Sequence, residues 1–399
     1  MSRHRHQSSL EGVLDFAAQA PSPFATDDER AQAVARFYAI VNHFDAMEPN
    51  TPGRYKRPVL IKTTYEYARS PASQDKFLAF FFTSLGVGML DDDKPIPYSD
   101  LGDALYDVAE FLMTNFFLPC KYLCSLSLLH KKPADKPPVR ASAHKTPKPS
   151  PAQHSALQKV LSLEEEQRME DFTATPDRIE ALRTSCLERD RHRCVVTRAF
   201  HRQEAQTRIV RDGRNHARDD DGHLLATNPR FAHLEVAHII PYGLTKADDK
   251  GSLPEGRKAA VAILNMFDMG VAHLLEGVDI NRPYNAVTLN HEMHHDFGNF
   301  KIYFQHVSGS TYFIDTFVES FLVEGVPVTR ELFTHAAIDP PSQRLLALHC
   351  AIGHILHLSG AGEYIERILR DMELGFVCED GSTQLGLMVQ LAMSAHGWW

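Results

Sequence analysis

Apolar residues recur at helical spacing through the first third of the chain. Thr26-Asp-Asp-Glu29 reads as a capping box, in which the threonine oxygen accepts an amide hydrogen bond three residues on and the glutamate reaches back. Ala33, Val34, Phe37, Tyr38 and Val41 follow on one face, so an amphipathic helix is predicted. Ser73–Leu85 and Ser99–Leu118 repeat the pattern with many phenylalanines, and such stripes build a core. Residues 1–130 are therefore expected to form a helical accessory domain.

The pattern stops at Lys131. From there to Pro151 stand six prolines, six Lys or Arg and one acid, with no apolar periodicity. Residues 131–154 are expected to be an extended, solvated linker, with a nuclear-import signal or loose phosphate contact as the alternative use of its charge. Thr175-Pro176 then sets an N-cap and a proline at the first helical position, predicting a helix to about Arg189. A short β-prone run, Cys194-Val-Val-Thr197, and a polar stretch to about Asp221 come next. From about Gln305 the pattern predicts short strands alternating with helices, including an apolar helix near Leu345–Leu358. Trp398 and Trp399 are expected to pack against the fold.

Composition narrows the class. At 399 residues with 43% hydrophobic and 23% charged residues, the chain has ordinary globular usage. Phe77–Leu90 and Leu345–Gly362 lack Asp, Glu, Lys and Arg; the first is too short for a bilayer and the second carries His349, His354 and His357. Both read as core helices, and no membrane partner is expected. The N-terminus shows no apolar leader, so a cytoplasmic or nuclear location is expected. Six cysteines, with only Cys120 and Cys124 close together, form no disulfide framework and read as buried thiols. The net charge is −9, yet nine arginines and three acids lie between Arg189 and Arg218. Guanidinium forks suit phosphate oxygens, so this segment is the local candidate for a nucleic-acid footprint, against a solvated loop.

Histidine, at 22 residues, is the unusual count, and many fall between His192 and His306. Leu234-Glu-Val-Ala-His238-Ile-Ile-Pro241 reads as a strand ending in a histidine. Asn285-Ala-Val-Thr-Leu289 reads as a second strand, running into a short helix, Asn290-His-Glu-Met-His-His-Asp-Phe297. A strand with His, a strand led by Asn, and a helix with His294 nine residues after that Asn resemble the HNH nucleases, over roughly Arg193 to Phe304. The first motif is similar to the branch written A-H-I.

The resemblance implies a ββα-metal core that cleaves DNA phosphodiester bonds with one divalent ion. It implies His238 as general base, Asn285 as the residue that holds loop and strand together, and His294 as metal ligand and third catalytic position. Imidazole suits the first task because it titrates near neutrality. Two positions depart from the pattern: Ala237 stands where a ligand commonly precedes the base, and Gly298 where a further histidine would follow. A donor set this thin favours Mg²⁺ or Mn²⁺ over Zn²⁺. Glu235 and Asp296 lie nearby without an assigned role. Arg282 either supports the site or is a turn residue, Asn265–Asp268 and Asp279–Pro283 fix the connection between the two strands, and Cys194 has no second cysteine with which to hold a structural zinc.

Two alternatives stay open. His291-Glu292-Met-His-His295 satisfies H-E-x-x-H, the zinc-protease signature, but a third ligand would fall at Lys301. A catalytically inactive DNA-binding or interaction protein is the other, favoured by Ala237. The expected architecture is α+β: the helical domain, the linker, an HNH domain over 155–310, and a mixed α/β C-terminal extension over 311–399 packed on it. DNA is the expected partner, RNA stays open, and a protein partner is expected through the N-terminal domain.

Overall fold

Thr26 caps the first helix, its hydroxyl oxygen accepting from Glu29 N at 3.2 Å, while the Glu29 carboxylate accepts from Ala25 N rather than from the cap residue's own amide. This computed structural model describes residues 22–129, 176–374 and 388, apart from 50, 52, 91–94, 228–229, 245–254, 276–280 and 324. The linker assigned to 131–154 and the terminal tryptophans lie outside the described residues.

Among the described residues, five helices and a π-helical turn build the N-terminal segment: α1 Asp27–Met47, α2 Arg57–Glu66, α3 Pro71–Leu85, α4 Tyr98–Leu112, the turn Met113–Phe117, and then α5 Leu118–Leu129. The sequence predicts one helix across 99–118. The π turn breaks it where Thr114 Oγ1 and Asn115 Nδ2 donate to the carbonyls of Glu110 and Phe111 at 2.7 and 3.0 Å, side-chain competition of the kind that bends helices. After the linker come α6 Pro176–Arg189, β1 Phe200–His201, α7 Arg202–Asp212, β2 Phe231–Ala232 and β3 Leu234–His238. Next are α8 Glu255–Phe267, β4 Ala286–Asn290, α9 His291–Gly298, β5 Ile302–Ser308, β6 Thr311–Thr316 and β7 Val328–Glu331. The helices α10 Gln343–Ser359 and α11 Ala361–Leu374 follow.

The architecture is α+β, with three small sheets set among helices in the described residues. β1 pairs parallel with β2, β3 antiparallel with β4, and β5–β6–β7 form an antiparallel meander. Two local expectations fail. Cys194–Thr197 is a turn, because Val195 N donates to Thr288 O at 2.9 Å and Arg198 takes a left-handed φ of 62°; Val195 and Val196 are buried without extending a strand. Beyond residue 301 the described strands all precede the helices instead of alternating with them, since the three strands pair into one meander that packs on α10 through β5.

The N-terminal helices share one hydrophobic core with the later segments. Phe116 and Phe117 of the π turn meet Phe267 of α8 at ring distances of 5.3 and 6.0 Å. Arg69 N donates to Phe267 O at 2.6 Å, and Lys121 Nζ donates to Gly362 O and Glu366 Oε1 at 3.0 and 2.9 Å. A fully buried phenylalanine contributes roughly 1.5–3 kcal/mol, whereas the Lys121–Glu366 pair, its lysine buried, spends much of its attraction on desolvation. The aromatic contacts therefore dominate this junction. Among the described residues no single helix is long and apolar enough to cross a membrane, although the bent pair α10–α11 passes the length and composition test together.

Candidate active site

The hairpin β3–β4 carries the motif, in a register that pairs His238 with Ala286 and Leu234 with Asn290. It lies between two helices. Val236 packs on Leu182 and Cys186 of α6, while Glu235, one residue earlier and so on the opposite face, reaches α9. Asn290 caps that helix, its side chain accepting from Met293 N at 3.0 Å.

Asn285 holds the corner. Its Oδ1 accepts from Ile240 N and its Nδ2 donates to Ile240 O, both at 3.0 Å, while its carbonyl accepts from Ile239 N at 2.8 Å. The residue is fully buried, so each lost bond would leave an unpaired group in the interior. The turn that delivers it is gripped by Arg189, which donates to Pro283 O at 2.7 Å and Ala286 O at 2.9 Å. Arg189 is itself paired with Asp190 at 2.8 Å with both side chains inaccessible, and Asp190 also accepts from Thr288 N at 3.2 Å.

His294 is buried on α9 and donates from Nδ1 to Glu235 Oε2 at 2.7 Å. The other carboxylate oxygen lies 3.3 Å from Nδ1 of exposed His291. A carboxylate on one ring nitrogen is the arrangement that orients a metal-ligating imidazole, and it leaves Nε2 of His294 as the donor for an ion. Ala237 is buried and offers no ligand. The donor set therefore fits a divalent ion held by one nitrogen together with water and substrate oxygens.

His238 ends β3, half-buried, with Nε2 3.1 Å from Asn281 Oδ1. Burial lowers its pKa below the ordinary imidazole value, the Asn281 bond works against that, and the nearby His294 ring lowers it further. Such a group stays unprotonated near neutral pH and can accept a proton.

Residues 194–305 match the family model described as HNH endonuclease. This segment is an HNH endonuclease domain. No curated protein matches the chain, and no solved structure does. The HNH match takes in β3, β4 and α9, with His238, Asn285 and His294, and ends within β5. The N-terminal helices and most of the C-terminal extension lie outside it.

Other candidates arrange differently. His291 and His295 of the H-E-x-x-H run both point to solvent from an eight-residue helix. His295 is engaged by Asn299 at 3.2 Å, and Lys301 holds the position of the third protease ligand. Asp219, Asp221 and His223 bring ligand atoms within 4.8 Å of one another. Arg193 and Arg191 already pair with the two aspartates, and Asp219 Oδ1 accepts from the amides of Asp221 and His223 at 3.0 and 2.8 Å. That group folds a turn. The arginine-rich segment is likewise committed: Arg208 pairs with Glu204 and Asp220 at 2.7 and 2.9 Å, and Arg198 donates to Glu331 O. Arg202, Arg211, Arg214 and Arg218 remain exposed.

Sequence reasoning named Glu235 without a role, and placed Asn281 only in a connecting segment. A signal existed for Glu235, an acid two residues before Ala237 on the same strand face. None existed for Asn281, 43 residues from its partner.

Proposed function

We propose that this protein is a metal-dependent endonuclease that hydrolyses phosphodiester bonds in DNA, with His238 as general base, Asn285 as the corner residue and His294 as metal ligand. The observation that carries this reading is the orientation of His294 by Glu235 on the helix packed against the strand that ends in His238. His294 Nε2 would hold a Mg²⁺ or Mn²⁺ ion, which would supply charge stabilisation for the phosphate and the leaving oxygen. His238 takes a proton from water as the water oxygen bonds to phosphorus; the P–O bond to the leaving sugar breaks, and that oxygen takes a proton from solvent. Asn285 keeps Ile239 and Ile240 in register so that the strand end stays fixed. Free buried thiols at Cys120, Cys124, Cys186 and Cys194 suit a reducing compartment, and we place the activity in the cytoplasm or nucleus.

The test is incubation of purified protein with supercoiled plasmid and Mg²⁺ or Mn²⁺, with and without chelator. Nicking should be lost with chelator and with His294→Ala, and should fall at least about 10²-fold with His238→Ala while DNA binding persists. Wild-type cleavage should rise through an ionisation below about 6.5, because the lowered pKa keeps the base unprotonated in more acidic solution. His295→Ala and Glu292→Gln should do much less. Plasmid retention without nicking would instead support the binding-only reading, and loss with Glu292→Gln but not with His294→Ala the protease.

A further inference from the structure

Asn281 lies outside the motif, yet its amide oxygen sits 3.1 Å from Nε2 of His238. An amide oxygen only accepts, so the imidazole meets it with an Nε2–H. A neutral imidazole carries one ring proton, and with that proton on Nε2 the lone pair lies on Nδ1. We propose that Asn281 is a positioning residue that fixes the tautomer and orientation of His238, making Nδ1 the nitrogen that receives the proton from the attacking water. This rests on the reading of His238 as the base and deepens it.

Three features suit Asn281 to the role. The turn that follows it is pinned from several sides: Arg189 donates to Pro283 O at 2.7 Å, Tyr284 Oη to Leu274 O at 2.6 Å, and Ser342 N to Tyr284 O at 2.8 Å. Arg282 pairs with Asp339 at 2.8 Å, so its charge is directed to the C-terminal segment. Both Asn281 and His238 are half-buried, where competition from water for the bond is weak. A neutral hydrogen bond of ordinary net strength biases one tautomer by about 2- to 10-fold. Without Asn281 the ring would distribute its proton between both nitrogens and turn about its side-chain bonds, and the basic nitrogen would face the water only part of the time.

The decisive measurement is the ¹⁵N chemical shift of both ring nitrogens in protein labelled at histidine, with His238 identified by the signals lost in His238→Gln. At neutral pH the wild type should show protonated Nε2 and unprotonated Nδ1. Asn281→Leu, which keeps similar volume without an acceptor, should move the pair toward an unrestrained mixture and lower kcat about 2- to 10-fold with little change in KM. Asn281→Asp restores an acceptor. It should recover the tautomer and part of the lost rate, and should move the pH profile upward, because a carboxylate stabilises the imidazolium. The charged neighbours on the α9 side, His294 and the Glu235 bound to it, are the same in all three proteins. Protonated Nδ1 in the wild type, or identical shifts in wild type and Asn281→Leu, would overturn the proposal. The spectra decide this whether or not plasmid is cut, whereas an inactive wild type would count against the nuclease reading alone. Equal loss in the Leu and Asp variants with no shift in pH profile would also overturn it, reducing Asn281 to a fold residue.

Discussion

Acidification should destabilise this protein through His349, a residue distant in sequence from the motif. His349 of α10 is buried between Phe297 and Phe300, with ring distances of 3.9 and 4.4 Å, and donates from Nε2 to Phe297 O at 3.0 Å. Burial pushes its pKa down to about 3, against about 6.5 in an unfolded chain. Between those values the unfolded state binds a proton that the folded state does not, so the contribution is fully present above about 6.5 and is lost as pH falls toward 3. From neutrality to pH 5 the loss is about 1.5 units at 1.36 kcal/mol each, or about 2 kcal/mol. For a fold of this size that lowers Tm by about 2–4 °C. Urea denaturation of wild type and His349→Gln at pH 7.5 and 5.0 isolates the effect, because glutamine keeps a donor and does not titrate. Other acid-sensitive groups, such as His201 with its pKa lowered to about 4, contribute to both proteins and cancel. The wild type should lose about 2 kcal/mol more than the variant. Parallel losses would refute the claim that His349 is held neutral by burial.

Three further outcomes are expected. Glu235→Gln should lower nuclease activity about 10- to 100-fold with an unchanged circular dichroism spectrum; full activity would mean that His294 needs no carboxylate behind it. Asn285→Ala should cost about 1–3 kcal/mol of stability, because both Ile240 bonds go at once, and an unaltered denaturation midpoint would contradict its corner role. Proteolysis should cut first between Lys131 and Pro151, and the two fragments should still co-elute in high salt, since buried aromatic contacts join them more than ion pairs do; separate elution would refute that.

The hairpin and α9 were legible because each signal is local: a strand ended by Pro241, an Asn cap, and a histidine at fixed spacing. The Phe-rich helices were legible for the same reason. What escaped depends on partners far along the chain. The arginines of 189–218 looked like a phosphate surface because their acids, Asp219 to Asp221, lie just beyond that window. α7 buries only Ala205, so it carried almost no apolar pattern. Cys194–Thr197 had strand propensity but met a backbone partner that demanded a turn. His349 read as a core histidine, and nothing in its neighbours announced that it grips the end of α9.

That grip bears on the order in which the protein is made. A ribosome releases α9 well before α10, and until His349 and the remainder of α10 emerge, the end of the helix that carries His294 has no support from that side. A nascent or prematurely terminated chain can contain every motif residue and still lack the packed wall behind them. Under the proposed reading, incomplete products would thereby cleave poorly, a safeguard for the genome that encodes them.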